Sequence, residues 1–191
     1  MTLHQIVSPA SRAMTIGAAL CVILLPTAPA AFQEPATKVV PAVAPAALEQ
    51  MLPALDGWTK GRVVSSRIMA AESCTYVYAD AIYTNIDGKL RVTLADTGFD
   101  PDGLMAVATV VQTFPADHTE VIPPDTVVTR LTYRGAPAAT LWNSTKRDGE
   151  FTVVVAGRFV AKVEGTPAQS LDVLRSVMDQ IDLKKLADLG R

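Results

Sequence analysis

Two cysteines and two histidines are all that the 191 residues hold of the side chains that most often carry metal or nucleophilic chemistry. Cys21 and His4 lie in the first thirty residues, which read as a removable leader, so Cys74 and His118 remain alone. One cysteine cannot form an internal disulfide, and one cysteine with one histidine falls short of the ligand set that zinc takes. No G-x-S-x-G elbow presents a serine nucleophile, and no glycine-rich loop leads from a strand into a helix to cradle phosphate. Charge is also sparse. Charged residues make up 19% of the chain and the net charge is -2, or -3 without the leader, which carries Arg12 and no acid. That balance excludes the concentrated basic footprint of a general nucleic-acid binder, and no like-charge run makes a polybasic membrane patch.

What is present is an apolar, globular composition, 49% hydrophobic, in a length suited to one domain plus a leader. The segment AMTIGAALCVILL (residues 13–25) is an uncharged apolar core, broken by Pro26 and followed by Ala28-Pro29-Ala30. This is the grammar of a secretory signal peptide cut after Ala30, which implies a periplasmic or secreted protein. An uncleaved anchor is the alternative, although the core before Pro26 is well short of the roughly 20 residues of a spanning helix. A cleaved chain has no membrane span. Residues 31–46, rich in proline and alanine, read as a semi-rigid linker, and residues 47–191 as a single domain.

The domain is organised around the stretch from Thr126 to Gly165, where four strand-like runs follow one another with short breaks, as in an antiparallel meander. Upstream, ALEQML predicts a short helix ended by Pro53, and Trp58 is placed as a core anchor. Residues 61–67, 73–79, 82–86 and 89–96 are further strand candidates, the last two joined through Asp87-Gly88. In KLRVTLAD, Leu90, Val92 and Leu94 face one way and Lys89, Arg91 and Thr93 the other, which describes a half-buried strand. Asp100 and Pro101 open a helix whose continuation, LMAVATVVQTF, is apolar nearly all round. Thr166-Pro167 opens a closing helix with Leu171, Leu174, Met178 and Ile181 in one stripe. The expected fold is therefore α+β: a mostly antiparallel twisted sheet of about six to seven strands, with one face covered by two main helices.

Leu52-Pro53 with Gly57-Trp58, the strand ending in Asp96, the ladder, and the closing Ile181-Asp182-Leu183 with Leu186 resemble a plan of bacterial exported domains. The element order over roughly residues 47–189 is similar to that of PsbP-like α+β domains. The resemblance implies a small non-catalytic envelope or accessory protein, and it transfers no functional residue.

Among candidate chemistries, Asp96, Asp100 and Asp102 superficially resemble a calcium loop, but their spacing departs from the EF-hand frame and N-capping explains Asp100. Cys74 reads as a buried small hydrophobe, with an intermolecular bridge as the alternative. No cofactor or metal is implied. One surface feature stands out. If the polar faces of several strands coincide, Arg91, Arg130, Arg158 and Lys162 form a basic patch on the open side of the sheet. Such a patch would steer a protein or an anionic envelope component, with Tyr76, Tyr78 and Tyr83 as neighbours. The expected function is thus an exported, non-enzymatic accessory or binding domain. The alternative is a hydrolase or transferase using Cys74 with His118, or carboxylates.

Overall fold

The computed structural model describes residues 41–69, 75–98, 118–122, 125–168 and 170–191. Alternating side chains set up two antiparallel meanders. The first comprises β1 (Thr59–Met69), β2 (Thr75–Asn85) and β3 (Gly88–Asp96). The second comprises β4 (Thr119–Ile122), β5 (Thr126–Tyr133), β6 (Ala136–Asn143), β7 (Asp148–Val155) and β8 (Phe159–Gly165). Pairing of β8 with β3 fuses the two into one eight-stranded sheet in the order β1-β2-β3-β8-β7-β6-β5-β4, antiparallel at every neighbour.

Turn chemistry sets the register. Arg134 (φ +50°) and Gly135 (φ +81°) form a two-residue loop closed by the Tyr133–Ala136 pair. Positive φ at both positions matches the twist of the flanking strands. Between β2 and β3 the loop is Ile86-Asp87, one residue earlier than the expected Asp87-Gly88. The Asn85 side chain explains the shift, because its Oδ1 accepts from the N–H groups of Asp87 (2.8 Å) and Gly88 (3.0 Å). Gly88 is held inside the ladder by a close approach: a Cβ there would lie 2.3 Å from the Pro167 carbonyl oxygen.

Among the described residues three short helices lie on one face: α1 (Pro45–Glu49), α2 (Leu171–Asp179) and α3 (Leu183–Asp188). α1 packs on β1 and β2, while α2 and α3 pack on β7 and β8. The core combines Leu48, Leu52 and Leu55 with Val77, Tyr83, Leu90 and Val92 at one end of the sheet. Toward the middle of the sheet, over β7 and β8, it combines Leu174, Met178, Ile181 and Leu186 with Phe151, Phe159 and Val163. Burying one such leucine or phenylalanine contributes about 1.5–3 kcal/mol. Tyr83 ties the leading segment down as well, its hydroxyl donating to the Pro53 carbonyl at 2.7 Å. Trp58 packs partly buried against the same cluster, in the anchoring role its sequence position predicted. Gly149 and Gly165 pair across β7 and β8 and leave a notch for α2. A Cβ on Gly165 would come within 2.6 Å of Ala168 Cβ and 3.0 Å of Leu174 Cδ2.

The α+β class with a mostly antiparallel sheet is as expected, but the details differ. There are eight strands among the described residues rather than six to seven, and the helices are short. Residues 73–79 and 82–86 are not two strands: β2 runs through Asp80 and Ala81, paired on both sides. β4 is not among the expected strands; it forms by adding to the edge of β5. The closing helix begins at Leu171 with Ser170 as N-cap, not at Thr166-Pro167, and Leu174, Met178 and Ile181 are buried as its stripe predicted. The expected helix from Asp100 lies outside the described residues. The fold also reaches back before Ala47, since Ala42 and Val43 pack against the core.

Candidate functional site

The cross-strand register places the sheet's second face in rows. One row runs Asp80, Thr93, Lys162, Thr152, Ala139 and Arg130, and the neighbouring row runs Ile82, Arg91, Glu164, Glu150, Leu141 and Val128. Directly opposed residues have Cβ atoms about 4.5–5.5 Å apart, so each row is a line of touching side chains. Of the four predicted basic residues, Arg91, Lys162 and Arg130 fall in these two rows. They do not make a positive patch. Arg91 lies 3.8 Å from Asp80, while Lys162 lies 3.2 Å from Glu164 and 3.9 Å from Glu150. Arg130 is buried at 3% exposure, on β5 at the far end of its row.

Nor is this face simply wet. Ala95, Ala139, Val154 and Val160 form a second buried cluster, with Tyr76 and Tyr78 packed against it. The two tyrosines stack at 5.6 Å between ring centroids. Burial pushes the Tyr76 phenol up to about 12, reinforced by Tyr78 and Asp80, so it stays neutral as a hydrogen-bonding group. The result is a groove of about 300 Å³ lined by Tyr76, Tyr78, Asp80, Arg91, Thr93 and Lys162 with Glu164. It offers an aromatic flank, two cations and two carboxylates in a shallow, open surface. Arg91 is half exposed, and an exposed ion pair at this separation is worth about 0–1 kcal/mol, so its guanidinium exchanges partners at little cost.

Arg158 belongs elsewhere. Counting by alternation from Phe159 sets it beside Lys162, but it sits in the turn after Val155, where Ala156 (φ +53°) and Gly157 (φ +64°) reverse the chain outside the ladder. Its side chain turns to the helix-covered face and is 1% exposed. Its Nε donates to Asp96 Oδ1 at 2.6 Å and its Nη2 to Asp96 Oδ2 at 2.8 Å, the bidentate geometry in which guanidinium and carboxylate match. Nη2 also donates to the Pro41 carbonyl at 2.8 Å. Asp96 accepts in addition from the N–H groups of Val43 (2.7 Å) and Gly98 (2.9 Å). The guanidinium stacks 5.1 Å from the Phe159 ring centroid. A buried pair so fully hydrogen-bonded is a structural clamp. It joins β3 to β8 and ties the leading segment to both.

A signal for this clamp exists in the sequence. Asp96 follows Leu90, Val92 and Leu94 on the apolar parity of β3, and a carboxylate there requires a cation. The same geometry accounts for the calcium-like spacing: Asp96 is spent on Arg158, while Asp100 and Asp102 lie outside the described residues. Cys74 lies outside them too. His118 is exposed beside β4, and five strands separate β4 from β2, whose first residue follows Cys74.

Among the described residues no cluster of His, Cys, Asp and Glu is suited to hold a metal ion, and no helix is long and apolar enough to cross a membrane. Compared with known families, curated proteins and solved structures, the chain matches none of them.

Proposed function

We propose that this protein is an exported, non-enzymatic binding or accessory domain of the bacterial envelope, working through the groove on the second face of its sheet. The observation that carries the reading is the grouping of Tyr76, Tyr78, Asp80, Arg91 and Lys162 around one open groove. A shallow surface with stacked rings and exchangeable ion pairs suits reversible capture of a polar partner, since aromatic and arginine side chains dominate binding energy at such surfaces. The leader-like first thirty residues support an envelope location, and the resemblance to PsbP-like exported domains points the same way.

The test is to compare capture of envelope components by the parent protein and by Arg91→Glu combined with Tyr78→Ser. Arg91 is exposed but Tyr78 packs against the second cluster, so the variant should lose about 0.5–3 kcal/mol and is compared only where it unfolds cooperatively above the capture temperature. The partner recovered with the parent should be lost with the variant. Equal recovery from both removes the groove as the binding surface.

A further inference from the structure

We infer that β1 is a self-association edge: two copies of this chain pair through it, antiparallel and two-fold symmetric about Ser66. Among the described residues the strand lies at one end of the sheet, and it is 11 residues long. Long regular edges invite pairing with another chain, and proteins normally blunt them with proline, bulges or short length. β1 contains no proline, and its one irregularity lies between Lys60 and Val63, which leaves the stretch beyond regular. Val64 and Ile68 stand 45% and 46% exposed on it.

The self-complementarity comes from the register. A two-fold axis at Ser66 sets Val64 of one copy opposite Ile68 of the other, twice, on the face that carries Tyr76 and Tyr78. Cross-strand pairs of β-branched residues are among those that stabilise a sheet. On the opposite face the same axis sets Arg67 of one copy against Ser65 of the other. The Ser65 hydroxyl is hydrogen-bonded to the Glu49 carboxylate at the end of α1. An exposed arginine thus arrives beside a carboxylate, again twice. Apolar matching on one face and charge matching on the other, from one axis, single out a second copy as the occupant. The paired sheets would place both grooves on the same side, one on each flank of the seam. The inference does not depend on what those grooves bind.

The experiment is sedimentation of the purified protein across a concentration series. The parent should show a reversible monomer–dimer equilibrium. Arg67→Glu sets glutamate against Glu49 in both halves of the homodimer, and Glu49→Arg sets arginine against Arg67, so each alone should weaken self-association by about tenfold or more. An equimolar mixture should recover it, because both cross-pairs become opposite in sign in the mixed dimer. Ile68→Lys, at an exposed position that leaves α1 untouched, should also weaken the dimer and serves if Glu49→Arg perturbs folding. A parent that stays monomeric throughout, or a dimer indifferent to Arg67→Glu and Ile68→Lys, overturns the inference. So does a mixture of two folded charge variants that associates no better than either alone.

Discussion

Replacing Arg158 by methionine removes the cation from the core and keeps most of the packed volume. Asp96 then loses the bonds from Nε and Nη2 at 2.6 and 2.8 Å, and retains those from the Val43 and Gly98 N–H groups. Breaking a buried pair by removing one partner costs about 3–5 kcal/mol. The two remaining N–H donors hold the cost near the lower end, about 3 kcal/mol, a large share of the roughly 5–15 kcal/mol that stabilises a typical domain. Asp96→Asn alone strands the guanidinium on a neutral amide and costs a similar amount. In the double variant the stranded charges are gone, so its cost should fall short of the sum of the singles by at least about 1–2 kcal/mol. Urea unfolding at constant m-value measures all three. A cost below about 1 kcal/mol for Arg158→Met, or strictly additive singles, would refute the clamp.

Tyr76, Tyr83 and Tyr133 should titrate near 12 instead of 10, the first two raised chiefly by burial and Tyr133 by burial and then its hydrogen bond to Asp179. Raised folded-state values mean that their contribution is complete below pH 10 and is lost as pH climbs through 12. Absorbance titration of the phenols, compared with the urea-unfolded chain, checks this, and native tyrosines that all ionise near 10 would contradict it. If the leader is cleaved as its pattern implies, mass spectrometry of the protein from the envelope should find Ala31 at the N-terminus, whereas a chain retaining residues 13–25 would favour an anchor.

Local pattern made much of this fold legible. The ladder from Thr126 to Gly165 shows itself through strand-like runs with short breaks, and the stripe Leu174, Met178 and Ile181 is a simple helical repeat. What escaped depends on partners distant in sequence. β2 looked broken because Ala79, Asp80 and Ala81 have weak strand character alone, yet pairing on both sides carries the strand through. TEVI in β4 is too short and too polar to announce itself until β5 is beside it. Counting by twos puts Arg158 on the wrong face because it fails across a turn, and its partner Asp96 is 62 residues away. For the site, alternation correctly placed Arg91 and Lys162 on one face but said nothing of Asp80, Glu150 and Glu164, which cancel their charge. Composition alone cannot show compensation between strands whose adjacency is set by topology.

The groove is the centre of the functional account, and photo-crosslinking from within it is the most direct examination. A photoreactive residue at Thr93, between Asp80 and Lys162 in its row, should form an adduct with a partner in the intact envelope. That adduct should disappear when Arg91→Glu is added. The same probe at Lys184, exposed on α3 on the far side of the sheet, should give none. Equal adducts from both positions, or a Thr93 adduct indifferent to Arg91→Glu, would contradict a binding role for this face.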